Sequence, residues 1–418
     1  MRQESRTPQA VSSVCFRNLE VHIRGLVGRW CQDLLEAEVN EVIERERYVR
    51  REPGSPKVYR NGHGRPRNLT FAGGTVTVRR PRVRNLTKRF ESLLLPLFAR
   101  STPAVQELLP ELYLHGLASG DFDLALRGLL GEKAPLSAST LDRLKASWQA
   151  DYETWKRRDL SELQPVYLWA DGLYVKAGLE KDKAALLVIV AGLADGTKVI
   201  LAVEAGQRES KESWLGVLRD LKSRGLKAPK LVVADGHLGL WSALPQVFVG
   251  VQEQRCWNHR LMNVKDKLPQ RLQDEGLALL KKIPAAATRK AAELRKKEFQ
   301  RWCVQQGQAA AGELLEQDWE RMMTFFRFPK EHWKHLRTSN VVESPFQRVR
   351  LRTDAAKRYK LAKNATAVIW KTLMLAQSRF RKLNAPKLMK DVFEGQVYAD
   401  GKKVTPTQDS ADSRLHTA

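Results

Sequence analysis

Apolar residues recur at helical spacing through residues 16 to 50, where Leu26, Val27, Trp30, Leu34, Leu35, Val39, Val42 and Ile43 form one stripe and acids mark the other face. A polar, basic stretch follows, Tyr59-Arg-Asn-Gly-His-Gly-Arg-Pro-Arg67. Two short alternating runs, Asn68-Leu-Thr-Phe and Thr75-Val-Thr-Val-Arg, are split by Gly73-Gly74 and predict a β-hairpin. Its arginine-rich flanks could lie along a phosphate backbone. Residues 102 to 157 predict three helices. Val105, Leu108, Leu109, Leu112 and Tyr113 stripe the first; Phe122 to Leu130 is the second, ended by Gly131; the third runs from Ser139 past Trp148, Tyr152 and Trp155. This layout suits a helix-turn-helix whose last helix would enter a major groove, although three helices packed without DNA give the same pattern.

From Val166 the period changes to that of strands. Val166 to Val175, Ala184 to Ala191 and Val199 to Val203 are joined by the short polar turns Glu180-Lys-Asp-Lys and Ala194-Asp-Gly-Thr, which predicts antiparallel neighbours. An amphipathic helix follows, with Ser210 as N-cap, Trp214, Val217, Leu218 and Leu221 as its buried stripe, and Gly225 as its stop. Strand Leu231 to Ala234, helix Leu238 to Leu244, strand Val247 to Gln252 and a further helix complete an alternating unit. Three antiparallel strands followed by alternating strands and helices is the order of a ribonuclease H-like sheet. Residues 260 to 335 predict helices rich in Lys, Arg, Ala and Leu. There Arg301, Trp302, Trp319, Arg321, Phe325, Phe326 and Trp333 interleave basic and aromatic side chains, as a surface gripping nucleic acid would, or as an ordinary helical core would. A basic helical region covers 343 to 383, and the residues from about Lys402 read as a polar, disordered tail.

Charge changes this picture most. Lys and Arg number 72 against 47 acids in 418 residues, a formal net charge of +25. An excess of that size implies a polyanionic partner such as nucleic acid. The four cysteines, Cys15, Cys31, Cys256 and Cys303, follow no framework spacing and suit a reducing compartment. The longest clean apolar run, Ala184 to Ala194, is too short to span a bilayer. The expectation is a cytoplasmic protein without a membrane segment, associated with the nucleoid when bound to DNA.

Three acids then stand out. Asp171 ends the run Val166-Tyr-Leu-Trp-Ala, Asp235 ends Leu231-Val-Val-Ala, and Glu343 opens a basic helical stretch. Two carboxylates at neighbouring strand ends, with a third from a packed helix, make an oxygen-rich pocket that suits magnesium or manganese, and the expectation is the two ions that phosphodiester chemistry uses. Each acid has a plainer reading. Asp171-Gly172 and Asp235-Gly236 could be turn residues after strands, and Asn340-x-x-Glu343 matches a capping box. Cys256-Trp-Asn-His259 is half of a zinc site with no second pair of matching spacing, so a buried thiol and a hydrogen-bonding imidazole beside the carboxylates is the better reading. Arg350, two helical turns beyond Glu343, could meet a phosphate or be solvated.

At these residues the sequence resembles the mutator-type bacterial insertion-sequence transposases of the DDE superfamily. The resemblance covers most of the chain, from Glu44-Arg-Glu-Arg-Tyr, Tyr59-Arg-Asn-Gly and Leu112-Tyr-Leu-His-Gly-Leu to the core. There it rests on Asp171-Gly-Leu-Tyr-Val-Lys, Glu212-Ser-Trp, Asp235-Gly-His, Arg255-Cys-Trp-Asn-His, Arg337-Thr-Ser-Asn-Val-Val-Glu and Arg350-Leu-Arg-Thr. The resemblance implies that Asp171, Asp235 and Glu343 are the catalytic, metal-holding acids, that Cys256 and His259 are the family's Cys-x-x-His element, and that Arg350 is its basic residue after the glutamate. A helical insertion between the second Asp and the Glu is also implied. Two features depart from the pattern. Ala118-Ser-Gly-Asp-Phe lacks the usual basic residue of the helix-turn-helix, and Pro345 constrains how a helix can start beside Glu343.

The expected fold is α/β: a ribonuclease H-like catalytic core interrupted by an all-helical insertion and preceded by a mainly helical DNA-binding region with a β-hairpin. The expected divisions are a DNA-binding region at 1–100, a helix-turn-helix-like region at 101–160, core at 161–260, insertion at 261–336, core helices at 337–385 and a tail at 386–418. The expected activity is that of a transposase, binding the terminal inverted repeats of its element as double-stranded DNA, nicking and transferring strands with magnesium or manganese, and acting as a homodimer or larger homo-oligomer. The alternative is a non-catalytic DNA-binding protein or repressor derived from one.

Overall fold

The computed structural model describes residues 18–55, 57–96, 100–117, 119–131, 138–176, 183–206, 209–236, 238–356 and 362–404. Cys15, the start of the helix expected from residue 16, Ala118, Pro135-Leu-Ser137, Glu180-Lys-Asp182 of the expected turn, His237 and the end of the tail lie outside them. The chain divides into two compact units, Met1–Leu144 and Lys145–Ala418.

In the first unit, α1 (Leu19–Ile43) ends at Glu44, which takes a left-handed conformation. It packs Leu35 and Val39 toward a hairpin of β1 (Tyr59–Phe71) and β2 (Gly74–Arg84), where Val76 and Val78 are buried. The Phe71↔Gly74 register leaves a two-residue loop. The strands are longer than their apolar alternation predicts. The basic stretch Tyr59–Arg67 is part of β1, and pairing continues past it with register shifts between Arg60 and His63 and between His63 and Pro66. Those irregularities accommodate Pro66 and Pro81, which cannot donate to a ladder. Helices α2 (Pro103–Leu114) and α3 (Ser119–Leu130) follow as expected.

The third helix expected in this stretch is α4 (Ala138–Lys156). Its second half belongs to the core of the second unit, where Trp148 and Tyr152 are buried. The Tyr152 hydroxyl donates to Val203 O at 2.8 Å, and Lys156 pairs with Glu204 at 2.6 Å.

The second unit is built on β3 (Pro165–Lys176), β4 (Lys183–Leu193), β5 (Lys198–Gly206), β6 (Leu231–Ala234) and β7 (Gln252–Arg255). The order is β5-β4-β3-β6-β7, antiparallel through the first three strands and parallel from β3 to β6 to β7. Helix α5 (Lys211–Ser223) starts at Ser210, whose Oγ accepts from Ser213 N at 3.2 Å. It buries Trp214, Val217, Leu218 and Leu221 with α6 (Leu238–Val247) against one sheet face. The strand expected at Val247 to Gln252 is displaced. Val247 and Phe248 are buried as the end of α6, and β7 is the polar Gln-Glu-Gln-Arg that follows. Gln254 is fully buried because its amide is used: Nε2 donates to Met322 O at 3.1 Å and Oε1 accepts from Phe325 N at 2.7 Å. A strand can be polar when its side chains find such partners.

Helices α7 (Trp257–Lys265), α8 (Gln273–Lys281), α9 (Arg289–Gln305), α10 (Ala309–Glu313), α11 (Trp319–Met323) and α12 (Trp333–Leu336) fill the space between β7 and the last acid. Trp319, Phe325, Phe326 and Trp333 are core residues here, with Phe326 and Trp333 centroids 4.8 Å apart, so they are not exposed wedges. Next come α13 (Asn340–Glu343), α14 (Phe346–Ala356) and α15 (Ala362–Gln377). Residues 386–404, expected as part of a tail, are folded. Helix α16 (Pro386–Phe393) buries Met389 and Val392, and β8 (Tyr398–Ala399) pairs with β9 (Lys402–Lys403). Among the described residues no helix is long and apolar enough to cross a membrane.

Candidate active site

Strands β3 and β6 pair in parallel up to Ala170↔Ala234, and the next residue on each is an aspartate. Asp171 and Asp235 therefore leave adjacent strands side by side. Asp171 is not a turn residue, because β3 continues along β4, with Asp171 opposite Val188 and pairing as far as Lys176. Its Oδ1 accepts from Gly172 N at 2.8 Å. Asp235 does precede a turn, and Gly236 takes φ +105°. A side chain at Gly236 would collide with the Arg255 guanidinium, its Cβ falling 2.4 Å from Nε, so glycine is required twice over. Arg255 is held in turn by Asp318, which also pairs with Arg260 at 3.0 Å and Arg321 at 2.8 Å.

Glu343 lies on α13, which packs against β3 and β4. Asn340 is not its cap. The N-cap is Ser339, with no capping hydrogen bond from its side chain. Ser339 is fully buried and instead ties the site together. Its N–H donates to Cys256 Sγ at 3.3 Å, its hydroxyl donates to Glu343 Oε1, and its Oγ lies 3.5 Å from His259 Nδ1. His259 Nδ1 is 3.9 Å from Glu343 Oε1. Cys256 N donates to Ala234 O at 2.7 Å, which fixes this cluster to the strand that carries Asp235. Ligand atoms of Cys256, His259 and Glu343 lie within 4.8 Å of one another.

The electrostatics follow from this crowding. Burial pushes the Asp171 carboxyl up to about 7, opposed by the Gly172 hydrogen bond and reinforced by the charges of Asp235, Glu343 and Glu209. The His259 imidazole is pushed up to about 9 by its hydrogen bond with Cys256 and by the charges of Glu343 and Asp235, against burial. The charges of Asp235, Glu343 and Glu209 all act on Asp171, while the ligand-type side chains gathered within 4.8 Å of one another among the described residues are Cys256, His259 and Glu343.

Arg350 is exposed on α14 and forms no ion pair among the described residues. The helical count from Glu343 assumed one continuous helix. The helix stops at Glu343 and restarts at Phe346, with Ser344 and Pro345 between, because a proline ring is tolerated at a helix start and not within it.

Two residues without an earlier role also belong to the site. Ser339 was visible only as part of the Arg337-Thr-Ser-Asn string. Glu209 is buried beside Gly172, where a Cβ would fall 2.1 Å from its Oε1. It hydrogen-bonds Tyr174, whose hydroxyl is pushed up to about 12 by burial and then by Glu209. The one sequence signal for Glu209 was an acid directly before a helix cap.

A family model described as Transposase, Mutator family, matches residues 6–380. The chain belongs to the Mutator family of transposases. This Mutator-family chain is 40% identical over 318 residues to the transposase of insertion sequence element IS6120 from Mycolicibacterium smegmatis, covering 75% of this chain and 98% of that one. It is 38% identical to the transposase of element IST2 from Acidithiobacillus ferrooxidans, covering 66% of this chain and 94% of the other. It is 31% identical to the transposase of element ISRM5 from Rhizobium meliloti, covering 84% and 87%.

Proposed function

We propose that this Mutator-family transposase is a DDE enzyme with a ribonuclease H-like core, which binds the ends of its insertion sequence and transfers DNA strands. The observation that carries the proposal is the pair Asp171 and Asp235, each one residue beyond the parallel Ala170↔Ala234 step, with Glu343 close enough to act on the Asp171 charge. The strand order, three antiparallel strands and then two parallel ones, supports the same reading.

Asp171, Asp235 and Glu343 would hold magnesium or manganese. When bound, such ions supply Lewis-acid stabilisation to phosphodiester oxygens. The chain's own part is positional. The sheet fixes the two aspartates, Ser339 fixes Glu343, and His259 on the rim is placed to steady a phosphate beside the acids. Water would add to phosphorus and break its bond to the 3′ oxygen at an element end. The freed 3′-hydroxyl oxygen would then bond to a target phosphorus, and the target's own 3′ oxygen would leave with the proton. The net charge of +25 suits double-stranded DNA as partner for both steps. Two ends must be brought together, so a homodimer or larger homo-oligomer is proposed on DNA. The test is incubation of the protein with end DNA and magnesium, reading strand products on a denaturing gel. Specific nicks at the ends support the proposal, and end binding without cleavage favours a repressor.

A further inference from the structure

The longer-than-expected hairpin carries a concavity of its own. It lies between the register shifts of β1 and β2 and measures about 310 Å³. Five arginines line it, Arg65, Arg67, Arg80, Arg82 and Arg89, together with Asn61 and no acid. Arg65, Arg82 and Arg89 are exposed, whereas Arg80 is only 9% exposed. One Arg80 terminal nitrogen donates to Phe90 O at 2.7 Å, and its guanidinium lies 5.9 Å from the Phe90 ring centroid. Its Nε is buried with no hydrogen-bond partner among the described residues. A buried charged group with an unmet donor is unfavourable unless something accepts from it.

The other grooves of the hairpin differ. The one beside α1 includes Asp33 and Glu36, and the one beyond it includes Glu36 and Glu46. There the positive side chains already have acids nearby; His63 Nε2 lies 2.6 Å from Glu36 Oε1. Unlike those two grooves, the concavity around Arg80 has no acid among its lining residues. Crowding is felt at Arg67, whose guanidinium is lowered by burial and by Arg80 and Arg100 beside it. Guanidinium groups converging on one space match an oxyanion, which accepts several charge-assisted hydrogen bonds at once.

The geometry points to this concavity as a seat for a backbone phosphate of duplex DNA, which sets which face of the hairpin meets the double helix. The inference rests on the DNA-transposase proposal above. A phosphate seat positions DNA and does not read its sequence. The test uses the full-length chain, one duplex carrying an element end and one of random sequence, with affinity measured across a salt series. The variants are Arg65→Ala with Arg89→Ala, both at exposed positions, and Arg29→Ala in the groove beside α1 as control. Each phosphate contact contributes about 0.9 to the slope of log affinity against log salt. The double variant, shown to be folded by circular dichroism, should lose about 0.9 of slope, the share of one phosphate, equally on both duplexes, and Arg29→Ala should lose none. Sulfate should raise the melting temperature of the wild-type protein more than that of the double variant. If the wild type binds duplex DNA and the double variant keeps its slope, the phosphate seat falls and the transposase proposal stands. A loss confined to the element-end duplex would also overturn the seat, since it would mean base reading. If the wild type binds neither duplex, both proposals fall.

Discussion

The Ser339 hydroxyl donates to Glu343 Oε1 from one helical turn away while the Ser339 N–H donates to Cys256 Sγ. One buried serine thus fixes a proposed metal-holding carboxylate to the segment that follows β7, the strand paired with the one that leads to Asp235. Partners that orient a metal ligand typically change metal affinity or activity by about 10–100-fold when removed. Ser339→Ala should therefore raise the magnesium concentration needed for half-maximal nicking by about that factor, and Ser339→Thr should restore part of it. An unchanged magnesium titration in a folded Ser339→Ala protein would show that Glu343 does not depend on this bond.

His259 and Cys256 should separate in their effects. His259 faces Glu343, so His259→Ala should slow strand transfer more than it weakens binding to end DNA. Cys256 is buried and accepts from Ser339, so Cys256→Ser, which keeps a small acceptor, should be milder. Among the described residues three ligand-type side chains gather here, and a structural zinc wants four. Elemental analysis should find no stoichiometric zinc; one zinc per chain, lost in Cys256→Ser, would contradict this account of the pair.

Asp318 holds three arginines, Arg255, Arg260 and Arg321, and sits at φ 62°, a backbone position that Asn also tolerates. Asp318→Asn removes the charge and leaves the backbone unstrained. It should destabilise the protein by about 3 kcal/mol, because it strands partly buried guanidinium groups. Denaturant unfolding measures this, and a loss within experimental error would mean that the arginines are adequately served by solvent and carbonyls.

Acid should weaken the protein through His335. Burial, the largest cause, pushes its imidazole down to about 4 from an ordinary 6.5. The unfolded chain then binds a proton that the folded chain refuses, so stability is complete above about 6.5 and declines as pH falls toward about 4. His332, also lowered by burial, adds in the same direction. Thermal melts across this range should show a shallower acid decline in His335→Asn than in the wild type; equal slopes would remove His335 as the cause.

Patterning made some elements legible and hid others for physical reasons. Strand Leu231–Ala234 and helix Lys211–Ser223 were readable because each is buried on a regular face and the helix carries its own cap. Strand Gln252–Arg255 was hidden because tertiary hydrogen bonds at Gln254 substitute for apolar burial. The full hairpin was hidden because its outer pairs are arginines and prolines at irregular register. Helix α4 carried a plausible DNA-reading stripe, but Trp148 and Tyr152 are spent on its own core. At the candidate site, the end of the apolar run marked Asp235 as a strand end, whereas β3 continues past Asp171 to Lys176. Ser339 and Glu209 did not, since nothing in a local string reveals a partner brought in by folding.

The central claim is that Asp171, Asp235 and Glu343 act as one metal-holding set. The direct measurement is magnesium-dependent nicking of end DNA by Asp171→Ala, Asp235→Ala and Glu343→Ala, alongside end binding in the same preparations. Carboxylates hold metals while Lys and Arg hold phosphates, so each variant should lose cleavage by at least about a thousandfold and keep binding within a few fold. Normal nicking by any one of the three, in a protein that still binds its ends, would contradict the account.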